Sequence, residues 1–271
     1  MSARLRVGVA GLGRAFTLMV PTFMKHPRVR LVAAADPRPD ARARFAQDFG
    51  GRVHDTVKSL CADEQVDAIY VATPHQHHAA HAIAAALAGK HVLVEKPMAL
   101  TLQEATDMID AAQTAGVRLL VGPSHAFDAP IARARAIVAS GELGRVRMVT
   151  ALNFTDFLYR PRRSEELATD AGGGVLFSQA AHQVDIVRLL AGGLATSVRT
   201  YAGSWDPARP TEGAYGALVR FEDGAFATLT YSGYAHFDSD DLCGNTSELG
   251  FPKTPAGYGN ARRALASLRS A

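Results

Sequence analysis

The sequence predicts an α/β protein in which a doubly wound parallel sheet is followed by a second α/β domain with a mostly antiparallel, open sheet. Two observations predict this class. In the first 122 residues, short apolar runs alternate with helical stretches; from about residue 145 the strands are longer, and a turn joins two of them. We therefore expect one domain over residues 1–122 and another over residues 123–271.

The apolar runs of the first domain are nearly continuous, which is typical of strands buried on both faces of a parallel sheet. They predict strands at residues 5–10, 29–35, 68–72, 92–94 and 117–121. The stretches between them predict helices at residues 15–25, 39–49, 79–88 and 102–115. Alternation of this kind indicates parallel strands joined by crossover helices.

The second domain has a different pattern of predicted strands and helices. Strands are predicted at residues 146–154, 197–202, 214–221 and 225–231. The Asp223-Gly224 pair between the last two strands predicts a hairpin. We expect a helix over residues 174–190 to pack on this sheet, and the Gly-, Ser-, Pro- and Asn-rich tail from Asp238 to be loop.

Composition excludes several classes of function. The 271 residues are 48% hydrophobic and 20% charged, which is a globular composition, and neither disorder nor a disulfide scaffold fits it. The net charge is only +3 and the basic residues form no long run, so no nucleic-acid partner is expected. No apolar run is long enough to span a membrane. Cys61 and Cys243 match no metal or redox motif, and with no signal-peptide pattern we expect a cytoplasmic protein.

A glycine-rich turn follows the first strand, in the sequence Gly11-Leu12-Gly13-Arg14-Ala15-Phe16. Gly11 permits a tight turn, and Gly13 lets a pyrophosphate approach the backbone at a helix N-terminus. Phe16 stands where the dinucleotide-binding fingerprint has its third glycine. The order of strand, glycines and helix predicts a Rossmann domain that binds a dinucleotide.

The second predicted strand ends at Asp36. A carboxylate at this place accepts hydrogen bonds from the ribose hydroxyls of the cofactor, which favours NAD. Arg38 lies close enough to leave NADP open. The alternative role for Asp36 is to cap the turn before Pro37.

The fourth predicted strand runs into Glu95-Lys96-Pro97. Ligands of open parallel sheets bind beyond the carboxyl ends of the strands, so Lys96 is expected where a nicotinamide ring lies. A buried lysine has a lowered pKa and can exchange a proton with a substrate hydroxyl or polarise a carbonyl. The alternative is an ordinary surface lysine.

Gly172-Gly173-Gly174 precede the predicted helix that carries Ser178, His182 and Asp185. Spacings of four and three residues place these three side chains on one helical face. The glycines are expected to let the backbone approach a cofactor or substrate closely. His182 is the candidate general base, because its ordinary pKa is near neutrality.

These motifs together resemble the Gfo/Idh/MocA oxidoreductases, over about residues 5–235. The resemblance rests on the glycine turn, on residues 72–74 with His78, on Gly89-Lys90-His91-Val92 before Glu95-Lys96-Pro97, and on the triple-glycine helix. It implies hydride transfer between NAD(P) and a carbon that bears a hydroxyl. It also implies a homo-oligomer, a dimer or tetramer, assembled through the open sheet of the second domain.

The resemblance also assigns the site residues. Lys96 and His182 match the catalytic lysine and histidine of the family. The residues expected to bind the cofactor are Gly11, Gly13, Arg14, Asp36, Arg38, Thr73, Pro74, His78, Glu95, Lys96 and Pro97.

Two departures from the family stand out. Ser178 occupies the place of an aspartate one turn before the histidine, and a neutral side chain cannot stabilise an imidazolium as a carboxylate does. The sequence stops at residue 271, where relatives continue through another strand and a helix, so we expect either a trimmed subgroup or missing residues.

A narrower resemblance is to the 4,5-dihydroxyphthalate dehydrogenase branch, which oxidises a cis-dihydrodiol of phthalate to a catechol. It is carried by residues 122–128, 157–163 and 178–185. Guanidinium groups bind carboxylates, so a dicarboxylate substrate fits an arginine-rich loop. The residues expected to bind substrate are His125, Arg160, Arg162, Arg163, Ser178 and Asp185. The alternative for the arginines is a solvated basic loop.

Four histidines, at positions 75, 77, 78 and 81, invite a metal hypothesis. No cysteine or carboxylate joins them at a standard spacing, so we expect no metal site.

The sequence thus predicts an NAD(P)-dependent dehydrogenase acting on a small molecule, best a phthalate-like dihydrodiol. In this hypothesis His182 or Lys96 removes the hydroxyl proton while hydride leaves the carbinol carbon. Two alternatives remain: a sugar or cyclitol dehydrogenase, and an NAD-binding regulator without catalysis.

Overall fold

The computed structural model describes residues 4–247 and 249–270, and the chain divides between Gly122 and Pro123 into two compact units. The first unit contains a six-stranded sheet in which all pairings are parallel, with strand order β3-β2-β1-β4-β5-β6. Its strands are β1 (Leu5–Ala10), β2 (Val29–Ala35), β3 (Arg52–His54), β4 (Ala68–Val71), β5 (His91–Glu95) and β6 (Leu119–Gly122). The doubly wound sheet is confirmed. The short β3 was not predicted, because it has no apolar run.

Helices cover both faces of this sheet. They are α1 (Arg14–Lys25), α2 (Pro39–Phe49), α3 (Val57–Cys61), α4 (His78–Leu87) and α5 (Leu102–Thr114). Successive side chains of a strand point to opposite faces of the sheet, and both faces are covered here, which explains why the apolar runs are continuous. Along β4, Tyr70 packs in the core with α1 and α2, whereas Ile69 packs in the core with α3, α4 and α5.

The presence of Phe16 in place of the third glycine of the fingerprint has a structural explanation. Phe16 is 6% exposed, and its ring lies 6.0 Å from that of Phe45 and 5.9 Å from that of Phe49, both on α2. The aromatic side chain therefore fills the space between α1 and its neighbours. The pyrophosphate turn itself keeps the two glycines that it needs.

The second unit contains a four-stranded sheet of order β7-β10-β9-β8. Its strands are β7 (Met148–Phe154), β8 (Ala195–Gly203), β9 (Ala214–Phe221) and β10 (Phe226–Ser232). The β9–β10 and β8–β9 pairs are antiparallel, the former being the predicted hairpin, and the β7–β10 pair is parallel. This mostly antiparallel sheet confirms the second half of the predicted fold class.

The described residues of this unit form three α-helices: α6 (Ala129–Ser140), α7 (Ala181–Ala191) and α8 (Asn260–Ser270). α7 packs on one sheet face, where Val187 joins a core with Tyr215 and Leu229. The helical path starts at residue 174 and passes through a π-helical turn at Leu176–Ala180 before α7. The prediction of a wholly irregular tail was wrong: residues 260–270 are rich in Ala, Leu and Arg, which favour helix, and form α8.

The triple glycine approaches the chain itself. A Cβ on Gly173 would lie 2.7 Å from the Glu166 backbone, and one on Gly174 would lie 2.1 Å from the Glu212 carboxylate. The Glu212 side chain is buried and accepts hydrogen bonds from the Leu176 amide (3.2 Å) and the Thr169 hydroxyl (2.6 Å). The glycines thus admit a carboxylate that caps the start of the helical segment, where a cofactor or substrate was expected.

No helix in the described part of the chain is both long and apolar enough to cross a membrane. The two cysteines are unpaired, Cys61 inside the first unit and Cys243 on the surface of the second.

Candidate active site

The glycine turn of the first unit has the geometry of a dinucleotide cradle. Gly11 has φ +93°, and a Cβ there would lie 2.7 Å from the carbonyl oxygen of Ala72, so only glycine fits. At Gly13 nothing lies within 4 Å of the place a Cβ would take. α1 begins at the next residue, the exposed Arg14, without a side-chain cap. An open backbone at a helix N-terminus suits a pyrophosphate, so these residues fit a dinucleotide.

Asp36 lies at the end of β2 and is 5% exposed. Its carboxylate accepts hydrogen bonds from the Leu12 amide (2.8 Å), the Arg38 amide (2.9 Å), and Arg38 Nε (2.9 Å) and Nη2 (3.1 Å). Burial raises the pKa of Asp36, but the hydrogen bonds from Arg38 and Leu12 outweigh it and hold the pKa below its ordinary value. The carboxylate therefore ties the glycine turn to the second strand and carries a negative charge there.

This arrangement bears on the choice of cofactor. The two Asp36 oxygens already accept four hydrogen bonds, so a ribose diol must displace one that Arg38 donates. The Arg38 side chain is 56% exposed, and its guanidinium can also face a 2′-phosphate. Asp36 and Arg38 thus act in opposite directions on cofactor preference.

The carboxyl ends of β4 and β5 carry the predicted reactive residues. The Tyr70 hydroxyl donates to Glu95 Oε1 (2.6 Å), and Glu95 Oε2 accepts from the Lys96 amide (3.3 Å). Burial, followed by the Glu95 charge, raises the pKa of Tyr70. The Lys96–Pro97 peptide is cis. Lys96 is half-buried, directly after the strand, as the sequence predicted.

His78 links these two strand ends from inside the unit. The imidazole is 1% exposed, with Nδ1 at 2.7 Å from the Pro97 carbonyl oxygen and Nε2 at 2.9 Å from the Thr73 carbonyl oxygen. Burial lowers the pKa of His78, although the two carbonyls oppose it. His78 thus links the Thr73 and Pro97 carbonyls, and its predicted role as a cofactor ligand stays a prediction.

A cavity of about 680 Å³ lies in the second unit. α7 and the turn before it present Gln179, His182, Gln183 and Ile186 to this cavity. The Gln183 side chain is anchored behind it, because it accepts from the Tyr215 hydroxyl (2.7 Å) and donates to the Thr230 carbonyl (3.2 Å). This face differs from the predicted one: Ser178 is buried, Asp185 is half-buried, and neither is among the lining residues.

His182 and His125 lie side by side in the cavity wall. Their ring centroids are 4.1 Å apart at an interplanar angle of 72°, an edge-to-face contact. His125 Nδ1 is 3.0 Å from Asp128 Oδ2. His182 is 9% exposed. Both histidines are predicted from the sequence, whereas Asp128, Gln179 and Gln183 are not; the His-x-x-Asp spacing at residues 125–128 was the one available indication.

The three arginines of the arginine-rich loop lie in different surroundings. Arg160 lines the cavity and its Nε donates to Asp156 Oδ1 (2.7 Å). Arg162 stacks over the Phe157 ring at 3.7 Å and lies 3.4 Å from Glu166, and Arg163 pairs with Glu165 and Glu166. Arg162 and Arg163 are not among the lining residues, so the structure brings only Arg160 to the cavity.

The cavity lining is rich in carboxylates. Asp128, Asp156, Asp238 and Asp240 face it, together with the cations Arg160 and Lys253. Lys253 bonds both Asp238 and Asp240, and although burial lowers its pKa, these two bonds raise it above the ordinary value. Polar groups in the lining are therefore largely held by one another.

The histidines at positions 75, 77, 78 and 81 do not converge. Their rings pair 5.6 Å apart, His75 with His78 and His77 with His81. Over the residues that the structure describes, no three His, Cys, Asp or Glu side chains are arranged to hold a metal ion.

Comparison with known proteins assigns the family. Residues 5–123 match the family model for the oxidoreductase family with an NAD-binding Rossmann fold, and residues 131–246 match the GFO/IDH/MocA C-terminal domain. The chain belongs to the Gfo/Idh/MocA oxidoreductase family. The predicted family is confirmed, and NAD is the cofactor of its Rossmann domain.

Comparison with individual relatives supports this family assignment. A 1-carboxy-3-chloro-3,4-dihydroxycyclohexa-1,5-diene dehydrogenase from Comamonas testosteroni is 55% identical over 247 residues, covering 91% of this chain and 62% of that protein. A crystal structure from Bordetella bronchiseptica RB50 is 45% identical with a TM-score of 0.93, over 97% of this chain and 69% of that one. GenD2 from gentamicin A biosynthesis, in complex with NAD, is 30% identical with a TM-score of 0.79, over 86% of this chain and 67% of that one. The chain thus spans less than two thirds of the Comamonas protein.

The Asp36–Arg38 pair predicts opposite changes in cofactor affinity. Arg38→Ala frees the carboxylate for the ribose diol, so NADH binding stays or tightens while NADPH binding weakens about tenfold, the equivalent of one charge-assisted hydrogen bond. Asp36→Asn weakens NADH binding by about the same factor. Titration of nicotinamide fluorescence measures both, with the exposed Asp110→Asn as control. Unchanged affinities in Arg38→Ala would contradict this assignment.

His78 predicts a pH dependence of stability. Its folded pKa is lowered, so the unfolded chain takes up the proton first as the pH falls below about 6.5, and the free energy of unfolding decreases there. The slope due to this one group is at most about 1.4 kcal/mol per pH unit. Urea unfolding between pH 7 and 5 should give a shallower slope for His78→Gln than for the unmodified protein. His26→Gln, at an exposed histidine, should keep the original slope, and equal slopes for all three proteins would refute the assignment.

Proposed function

We propose that this protein is an NAD-dependent dehydrogenase that oxidises a dihydrodiol of a carboxylated cyclohexadiene. The observation that carries the proposal is one cavity whose wall holds both an imidazole, His182, and a guanidinium, Arg160. Such a pair can deprotonate a hydroxyl and hold a carboxylate of the same small molecule. The class of diol is supported by the name of the Comamonas relative at 55% identity.

His182 acts as the base in this proposal. The imidazole accepts the hydroxyl proton as the carbon–oxygen double bond forms, and bound NAD supplies an acceptor for the hydride of the carbinol carbon. The ring ketone then moves a ring proton to oxygen and becomes a catechol, and this gain of aromaticity pulls the reaction forward. Lys96 is the second candidate base, and a variant of each residue distinguishes them.

Arg160 holds the substrate carboxylate. Its Nε is bonded to Asp156, which fixes the direction of the guanidinium plane. A planar guanidinium binds a carboxylate through two parallel hydrogen bonds. Arg162 and Arg163 are bonded within their own loop and take no part.

A second candidate is a sugar or cyclitol dehydrogenase. The observation that favours it is the four lining carboxylates against two cations, because carboxylates accept hydrogen bonds from polyol hydroxyls and repel an anion. Substrate tests therefore include both classes.

The purified protein is expected to reduce NAD, followed at 340 nm, with a carboxylated cyclohexadiene diol and not with sugars or cyclitols. Arg160→Gln should raise KM for the diol about tenfold and leave kcat nearly unchanged, because it removes a binding contact and not the base. Arg133→Gln, exposed on α6, serves as control. Either His182 or Lys96 is the base, and the variant that replaces it, His182→Asn or Lys96→Met, should lower kcat at least about 100-fold.

Turnover of polyols alone would overturn the diol assignment in favour of the second candidate. If no substrate is turned over while NADH still binds, the proposal of an enzyme is contradicted and an NAD-binding regulator is favoured.

We also propose a homo-oligomer assembled through the sheet of the second unit. α7 covers one face, and the opposite face exposes Met148 (61%), Leu218 (42%) and Tyr201 (87%). Exposed apolar side chains gathered on one face are typical of an interface. Sedimentation velocity should show a dimer or tetramer that dissociates in Leu218→Glu and persists in the control Leu143→Glu. A monomer in the unmodified protein would refute this proposal.

A further inference from the structure

A second concave site lies in the second unit, and we call it the aromatic pocket. Its volume is about 370 Å³, at the lower end of the range for small-molecule sites. In the part of the chain that the structure describes, it shares no lining residue with the cavity of His182. The side chains that characterise it are aromatic or charged: Tyr159, Trp205, Asp206, Tyr234, His236 and Arg262.

Trp205 is held in one position in this pocket, although it is 70% exposed. Its indole stacks on the Tyr234 ring, with 5.3 Å between the centroids and an interplanar angle of 28°. The Trp205 amide donates to the Tyr234 hydroxyl (2.7 Å), which donates to the Gly203 carbonyl (3.1 Å). A Cβ on Gly203 would lie 2.1 Å from Cζ2 of the indole, so only glycine leaves room for the ring. One face of the indole is therefore covered by Tyr234, and the other is open to a ligand.

The backbone beneath the indole is strained. Ala235 lies between the pocket residues Tyr234 and His236, is 1% exposed and has φ +55°, which residues other than glycine rarely adopt. Its amide donates to the Thr155 carbonyl (3.0 Å), which helps to hold this conformation. Strain of this kind persists only where the surrounding structure fixes it, and it is concentrated at ligand sites.

Arg262, on α8, supplies a positive charge to the pocket. Its Nη1 lies 2.8 Å from His236 Nδ1 and 3.4 Å from the Tyr234 carbonyl oxygen. A guanidinium only donates, so the imidazole accepts and orients Arg262 without cancelling its charge. Among residues 4–247 and 249–270, no carboxylate forms an ion pair with Arg262. Its remaining donors are therefore available to an anion.

The carboxylate of the pocket already has protein partners. Asp206 accepts from the Ala208 amide (2.9 Å) and from the Tyr159 hydroxyl. Burial and then the bond to Asp206 raise the pKa of Tyr159, so the hydroxyl keeps its proton and remains a donor. The turn that begins at Asp206 also carries Arg209, whose amide donates to the Asp206 carbonyl (2.9 Å), so the charges of this turn balance. The charge that the pocket offers to a ligand is that of Arg262.

We propose that the aromatic pocket binds a monocyclic aromatic carboxylate, whose ring stacks on Trp205 and whose carboxylate bonds Arg262. A planar ring matches the open face of the indole, and offset stacking adds to the burial of its apolar surface. A guanidinium binds a carboxylate through two parallel hydrogen bonds. This site is additional to the cavity in which Arg160 is proposed to hold the substrate, and it does not depend on the proposed activity.

Trp205 is the single tryptophan of the chain, so tryptophan fluorescence reports on this pocket alone. Without a ligand, the emission should be that of a solvent-exposed indole. Benzoate should shift the emission to shorter wavelengths and reduce its quenching by acrylamide, with a Kd on the order of 1 mM, as expected for so small a ligand. Cyclohexanecarboxylate lacks the planar ring and benzamide lacks the charge, and each should bind about tenfold more weakly.

Variants separate this pocket from the cavity of His182. Arg262→Gln should weaken benzoate binding about tenfold, whereas Arg262→Lys, which keeps the charge, should lose less. Arg263→Gln, at the exposed next position of α8, is the matched control and should leave the Kd unchanged. Arg160→Gln should also leave the Kd unchanged, because Arg160 lines the other cavity.

Three results would overturn the proposal: equal binding of the three probes, an unchanged Kd in Arg262→Gln, or loss of the signal in Arg160→Gln. The emission of a buried indole before any ligand is added would also overturn it, and would assign the pocket to a contact with a second copy of the chain. Because the titration needs no turnover, failure of the proposed diol activity leaves this result interpretable.

Discussion

All six strands of the first unit run in the same direction, and this one constraint places its functional residues. The carboxyl ends of adjacent parallel strands meet at one edge of the sheet. β2, β1, β4 and β5 are neighbours in that order, so Asp36, Gly11, Thr73 and Lys96 follow strands that end side by side. Local contacts then refine the edge: the Asp36 carboxylate bonds the glycine turn, and His78 links the Thr73 and Pro97 carbonyls.

In the second unit, one helix, α7, places His182. α7 is fixed on the sheet by Val187 and by the hydrogen bonds of Gln183 to Tyr215 and Thr230. Its entry is held by the buried Glu212, which the small Gly174 admits. Both ends of the segment are therefore set by contacts with the sheet region, and His182 is held on the side that faces the cavity.

The charges of the cavity are paired before any substrate arrives. Arg160 is bonded to Asp156, and Lys253 is bonded to Asp238 and Asp240. A ligand must therefore exchange hydrogen bonds with groups that already have partners, so the net gain from each contact is small. Under the proposed function, discrimination between an anionic diol and a neutral polyol depends on the fixed direction of Arg160 and on the excess of carboxylates around it.

The sequence by itself determined the fold class, the family and the kind of cofactor, a dinucleotide, because the features behind them are local: apolar runs, a glycine turn and a strand-final Asp36 lie within short stretches of chain. The β9–β10 hairpin was predictable for the same reason. The tertiary structure alone decided that the triple glycine faces Glu212, that Arg162 stacks on Phe157 away from the cavity, and that His125 contacts His182. Those are contacts between side chains from distant segments, which no local pattern encodes, since they arise only when helices and loops pack on the finished sheet.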